Sequence, residues 1–188
     1  METIVLSALV VALAEIGDKT QVLAVLLGAR FRKPWAVIAG IVFATLANHV
    51  FAALLGYYAA SFIAGTWFRY LVAIAFIAMA AWALVPETFG ETPSLGNRGA
   101  FIATLVAFFL VEIGDKTQVA AIALAARFHS IWLVTLGTTL GVLIADAPAV
   151  FFAEAATRVV PVKSMRLISA GVFLVLGLWA LAGAAKLF

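Results

Sequence analysis

AEIGDKTQ at residues 14–21 and VEIGDKTQ at residues 111–118 share one seven-residue string, 97 residues apart. Each copy lies inside a long apolar stretch, so Glu, Asp and Lys stand where lipid or a protein interior would surround them. Insertion scales charge about 2.5–3.5 kcal/mol for an Asp or Lys at the centre of a membrane helix. Six such residues do not persist facing lipid; they face one another or water. The fold and the function both turn on where these two stretches meet.

The surrounding composition is that of an integral membrane protein. Of 188 residues, 66% are hydrophobic and 11% charged, with a mean hydropathy of +1.18, well outside the soluble range. Zero cysteines exclude a disulfide framework, a thiolate zinc site and an iron–sulfur cluster. The net charge of +3 comes mainly from basic residues in loops, so membrane orientation explains it and a nucleic-acid partner is not expected. The first apolar stretch lacks a basic leader and carries Glu15, Asp18 and Lys19, so it reads as a retained helix.

Apolar runs near 3–27, 35–60, 67–86, 99–125, 131–155 and 164–186 have the length that crosses hydrocarbon. An all-α protein with six transmembrane helices is expected. A shift of 97 superposes Arg30-Phe31 on Arg127-Phe128, Trp35 on Trp132, Arg69 on Arg166 and Trp82 on Trp179 without a gap. Matched charges and tryptophans mark an internal duplication: repeat 1 over 1–91, a linker at 92–98 and repeat 2 over 99–188. Three spans per repeat make the two repeats inverted. With the N-terminus outside, inside loops hold seven Lys or Arg against three outside, which places both termini outside. Trp35, Trp67 and Trp132 begin spans, where interfacial anchors belong.

Glu15 lies about 18 Å into the first span at 1.5 Å per residue, near the bilayer centre, and Glu112 is equally deep in the fourth. On an ideal helix Glu15, Asp18 and Gln21 form one stripe, with Lys19 beside Glu15 and Thr20 pointing elsewhere. Gly17 lets the backbone bend or open and bring Thr20 towards the same cavity. The same holds for Glu112, Gly114, Asp115, Lys116, Thr117 and Gln118. Inverted repeats bring the two motifs together at the midplane, where four carboxylates face two lysines. The resulting formal charge of minus two is what one divalent cation neutralises. Oxygen ligands without Cys or His suit hard cations such as Ca2+ or Mn2+. The structural alternative is an internal Glu15–Lys19 pair that merely joins helices.

EIGDKT at 15–20 and at 112–117 resembles the doubled E-x-G-D-K-T/S signature of the Gdt family of cation:proton antiporters, which includes bacterial manganese exporters. The resemblance covers essentially the whole chain. It implies export of Mn2+ or Ca2+ across a bacterial inner membrane in exchange for protons, with Glu15, Asp18, Glu112 and Asp115 as metal ligands. Competing readings are a membrane-embedded metal-dependent hydrolase and a passive channel. No enzyme activity and no resident cofactor are expected. The 97-residue shift also pairs His49 with Asp146, with Asn48 alongside. This pair lines the ion path, or it makes an ordinary interhelical hydrogen bond or sits near the interface.

Overall fold

The computed structural model describes residues 1–62, 66–85, 99–153 and 162–185. Eight helices occur among them: α1 (Glu2–Glu15), α2 (Lys19–Phe31), α3 (Pro34–Phe62), α4 (Thr66–Leu84), α5 (Ala100–Glu112), α6 (Lys116–Phe128), α7 (Ile131–Phe151) and α8 (Val162–Ala184). No strand occurs among the described residues. In α3, α4, α7 and α8 the apolar run is long enough to cross a membrane, and α5 is a shorter apolar helix. The expected linker at 92–98, with Ser94 and Arg98, lies outside the described residues, as do Glu87, Glu91, Glu154, Arg158 and Lys186.

The runs 3–27 and 99–125, read from sequence as single spans, are each two helices meeting at the EIGDKTQ motif. The cause is local. Ile16 and Ile113 turn extended, with ψ of 119° and 120°. Gly17 and Gly114 then adopt φ of +80° and +76°, the left-handed region that glycine enters without a Cβ penalty. Asp18 and Asp115 are extended N-caps, each carboxylate accepting the N–H of the following lysine at 2.8 Å. Gln21 and Gln118 reach back four residues, and their Oε1 atoms accept the N–H of Gly17 and Gly114 at 2.8 and 2.7 Å. Backbone groups freed at membrane depth must be satisfied within the protein. Half of each motif thus serves the break itself. The single polar stripe expected of a continuous helix is corrected: Glu15 closes α1, whereas Asp18 opens α2.

Packing interleaves the two halves. α1 lies against α7 and its counterpart α5 lies against α3, while α6 packs on α3, α2 packs on α7, and α4 pairs with α8. The helices approach closely where side chains are small. A Cβ on Gly40 would stand 2.8 Å from the Phe101 carbonyl oxygen, and one on Gly137 2.6 Å from that of Ile4. The small-residue rows therefore serve packing. Trp35, Trp67 and Trp132 are all exposed, as belt residues are.

The break makes a specific demand at Gly114, where a Cβ would meet no atom within 4 Å and the obstacle is backbone conformation alone. Gly114→Asn, which tolerates the left-handed region, should lose less thermal stability than β-branched Gly114→Val. Thermal unfolding in detergent measures this. Equal losses would mean that the left-handed turn is not what the glycine supplies.

Candidate functional site

Both breaks open onto one buried cluster. Glu15, Asp18, Glu112, Asp115 and Asp146 are each at most 1% exposed, far below the exposure at which carboxylates normally sit. Electrostatic coupling ties them together: Glu15 feels Asp146, Asp115 and Glu112, and Asp146 feels Glu112 and Asp18. The sequence count of four central carboxylates becomes five.

The two motifs are joined by exchanged ion pairs. Lys116 Nζ lies 2.9 Å from Asp18 Oδ1, and Lys19 Nζ lies 3.2 Å from Asp115 Oδ1. In each aspartate that same Oδ1 also caps the helix of its own motif. Each lysine therefore reaches the aspartate of the opposite copy, and no Glu15–Lys19 salt bridge is found among the described residues. The reason is the break: once α1 ends at Glu15, residue 19 no longer stands one helical turn above residue 15. Lys116 is nearly enclosed, with 7% of its side chain exposed against 31% for Lys19.

The glutamates have different neighbours. Glu15 Oε1 accepts a hydrogen bond from the Thr20 hydroxyl, so Thr20 turns into the site, and Glu15 Oε2 has no hydrogen-bond partner among the described residues. Glu112 instead accepts from Thr45 Oγ1 at 2.6 Å and Asn48 Nδ2 at 3.0 Å, both on α3. Thr117 is buried, and its hydroxyl makes no hydrogen bond among the described residues. Gln21 Nε2 donates to the Ala145 carbonyl at 3.1 Å, fastening the start of α2 beside Asp146.

Thr45 was not a candidate from the sequence, and Asn48 was noted only as the neighbour of His49. Their positions 97 residues on are Val142 and Ala145, so a search for matched polar pairs passes over them. The visible signal is their spacing of three on one helical face next to His49. His49 and Asp146 are both fully buried. Neither ring nitrogen of His49 and neither oxygen of Asp146 makes a hydrogen bond among the described residues. Among the described residues no three His, Asp or Glu side chains stand close enough to hold a metal ion together. Asp18 and Asp115 are engaged by ammonium groups instead.

The sequence model of the "Divalent cation/proton antiporter GDT1" family matches the chain twice, over residues 3–91 and 100–187. The chain belongs to this family. A Vibrio cholerae serotype O1 (strain ATCC 39541 / Classical Ogawa 395 / O395) protein named "Putative manganese exporter" is 42% identical over 179 residues, covering 95% of this chain and 90% of that protein. No solved structure matches the chain. GDT1 membership makes this chain a multi-pass cation transporter and not an enzyme, so the hydrolase alternative falls.

The exchanged pairs can be tested by which second substitution rescues the first. Lys116→Met should cost about 3–5 kcal/mol, because it leaves a buried carboxylate without its cation. Adding Asp18→Asn should recover most of that loss, whereas adding Asp115→Asn should not. Unfolding of the three variants and the unaltered chain in detergent reads the rescue. Rescue by Asp115→Asn alone would place the pair within one motif.

Proposed function

We propose that this chain exports a divalent cation, Mn2+ in preference to Ca2+, from the cytoplasm in exchange for protons. The observation that carries the reading is the pair of exchanged Lys–Asp contacts that closes both EIGDKT copies into one buried cluster. Two ammonium groups carry the same charge as one divalent cation. When Lys116 and Lys19 release Asp18 and Asp115, a dehydrated cation takes over both carboxylates without changing the charge they face. Glu15 and Glu112 complete an oxygen set suited to a hard cation. The manganese preference is supported by the name of the Vibrio cholerae relative.

Exchange follows if metal and protons compete for the same carboxylates. A bound divalent cation favours their ionised form, so loading metal expels protons. An empty, fully ionised cluster is costly within a membrane, so the return step needs protons. Protons entering down their gradient then drive metal outward. Gly17 and Gly114 act as hinges, while Lys19, Thr20, Gln21, Lys116, Thr117, Gln118, His49 and Asp146 support the ion path. We take the repeats, 1–91 and 99–188 around a 92–98 linker, as inverted in the inner membrane with both termini outside. Access alternates between them about the central cluster.

Reconstituted vesicles with an imposed proton gradient should accumulate Mn2+ in proportion to that gradient. Asp18→Asn and Asp115→Asn should each lower this flux by at least about tenfold, more than 1.4 kcal/mol of lost site energy. Flux indifferent to the gradient would instead identify a passive channel. In detergent, adding Mn2+ to weakly buffered protein should release protons, and a Glu15→Gln/Glu112→Gln variant should not. Metal binding without proton release, at an affinity independent of pH, removes the basis for exchange.

Orientation is tested separately. Cysteines replacing Ser61 and Ser94 should label from opposite sides of the membrane, with Ser94→Cys reached from the cytoplasm. Labelling of both from one side contradicts the inverted arrangement.

A further inference from the structure

A second polar feature lies away from the carboxylate cluster. A cavity of about 300 Å³ opens where α2 ends, α3 begins and α7 closes, lined by Gly28, Arg32, Pro34, Val150, Phe151 and Phe152 among others. Its floor exists because α2 and α7 approach very closely: a Cβ on Gly28 would stand 2.7 Å from the Val150 carbonyl oxygen. Arg32 adopts the left-handed conformation at φ +50°, ends α2 and turns the chain into α3 within two residues. Lys33 follows, and Arg30, Arg32 and Lys33 are all exposed. The 29-residue α3 starts at Pro34, so its positive dipole end also lies at the rim.

Arg32 lines the cavity, Lys33 follows it in the chain, and the Arg30 guanidinium lies over the Phe31 ring; this positive charge and a helix N-terminus repel a divalent cation, which makes the opening a poor vestibule for the transported ion. They attract an anion. Beside the rim stands exposed aromatic surface: Trp35 packs edge-on against Phe151 with ring centroids 5.3 Å apart, and Phe152 is 66% exposed. In a membrane-spanning chain such surface meets acyl chains and glycerol backbones. The duplicate positions do not repeat the arrangement. There His129, Ser130 and Ile131 replace Arg32, Lys33 and Pro34, Ala125 replaces Gly28, and Leu54 and Leu55 replace Phe151 and Phe152. Arg30 is matched by Arg127, but the Arg32–Lys33 pair is present on one repeat alone and is not a by-product of duplicated packing.

We propose that this cavity binds the phosphate of an anionic phospholipid, with Arg32 and Lys33 on the phosphate and Trp35, Phe151 and Phe152 against the glycerol and first acyl carbons. The site lies at the joint between a broken span and the next, so its occupant stiffens the α2–α3 connection. The assignment is independent of which cation is carried and of the direction of transport.

The test uses the full chain with Trp67, Trp82, Trp132 and Trp179 changed to Phe, so that Trp35 alone reports. In bilayer discs, brominated phosphatidylglycerol should quench Trp35 with a binding constant at least about fivefold above that of brominated phosphatidylcholine, the worth of one cation at a lipid surface. Arg32→Asn/Lys33→Gln should bring the ratio to about one, Asn being chosen because it tolerates the left-handed backbone. Equal constants for the two lipids, or a preference that survives the double substitution, overturn the proposal. So does loss of the preference on adding millimolar inorganic phosphate, which would reassign the cavity to a soluble anion. If the tryptophan-reduced chain does not fold, lipid retention by the otherwise unaltered chain in native mass spectrometry gives the same comparison, with the same outcomes deciding.

Discussion

Buried charge in a membrane interior must find opposite charge, and this constraint organises the molecule. Lys19 and Lys116 each satisfy the aspartate of the other motif, so neither copy of EIGDKTQ is electrostatically complete alone. The demand reaches backward into the backbone. For an aspartate to cap a helix and meet a lysine from elsewhere, its helix must start at the bilayer interior, which requires the left-handed glycine and the glutamine that holds its amide. It also reaches outward into packing. α1 and α5 can present their glutamates to a shared centre only by lying against the first long helix of the opposite half, where glycines permit the approach.

The cluster is duplicated in its acids but not in its environment. Glu112 is held by two neutral donors from α3, whereas the matching surface of α7 offers Val142, Ala145 and the carboxylate of Asp146. Two glutamates of identical sequence context are thus given unlike surroundings by residues outside the motif. A hydrogen-bonded carboxylate keeps its position, while a carboxylate facing another carboxylate needs a cation or a proton between them. The two halves of the centre are therefore chemically inequivalent despite their common ancestry.

Much of this was legible before any coordinates. Hydropathy and the 97-residue shift disclosed a membrane protein built twice over, and glycine inside each motif announced the bend. What stayed hidden has physical causes. Spacing along an ideal helix puts Lys19 beside Glu15, and only the break, whose angle no sequence period encodes, sends it to Asp115 instead. Thr45 escaped, and Asn48 was noted only as a neighbour of His49, because duplication directs attention to matched positions, whereas their value lies in being unmatched. Pairing across the two copies is a long-range contact, and periodicity reports only the local ones.

The exchanged pairs also set a problem of timing during synthesis. Asp18 and Lys19 leave the ribosome together, but their partners Lys116 and Asp115 follow some 97 residues later. At about 5–20 residues per second the first motif waits about 5–20 s before its counter-charges exist. Lipid cannot host it meanwhile. The first motif must therefore linger in a hydrated or protein-lined environment until the second arrives, so its integration is tied to completion of the second half. A chain that stops early leaves in the membrane a helix whose charges have nowhere to go, a mark by which quality control can recognise it.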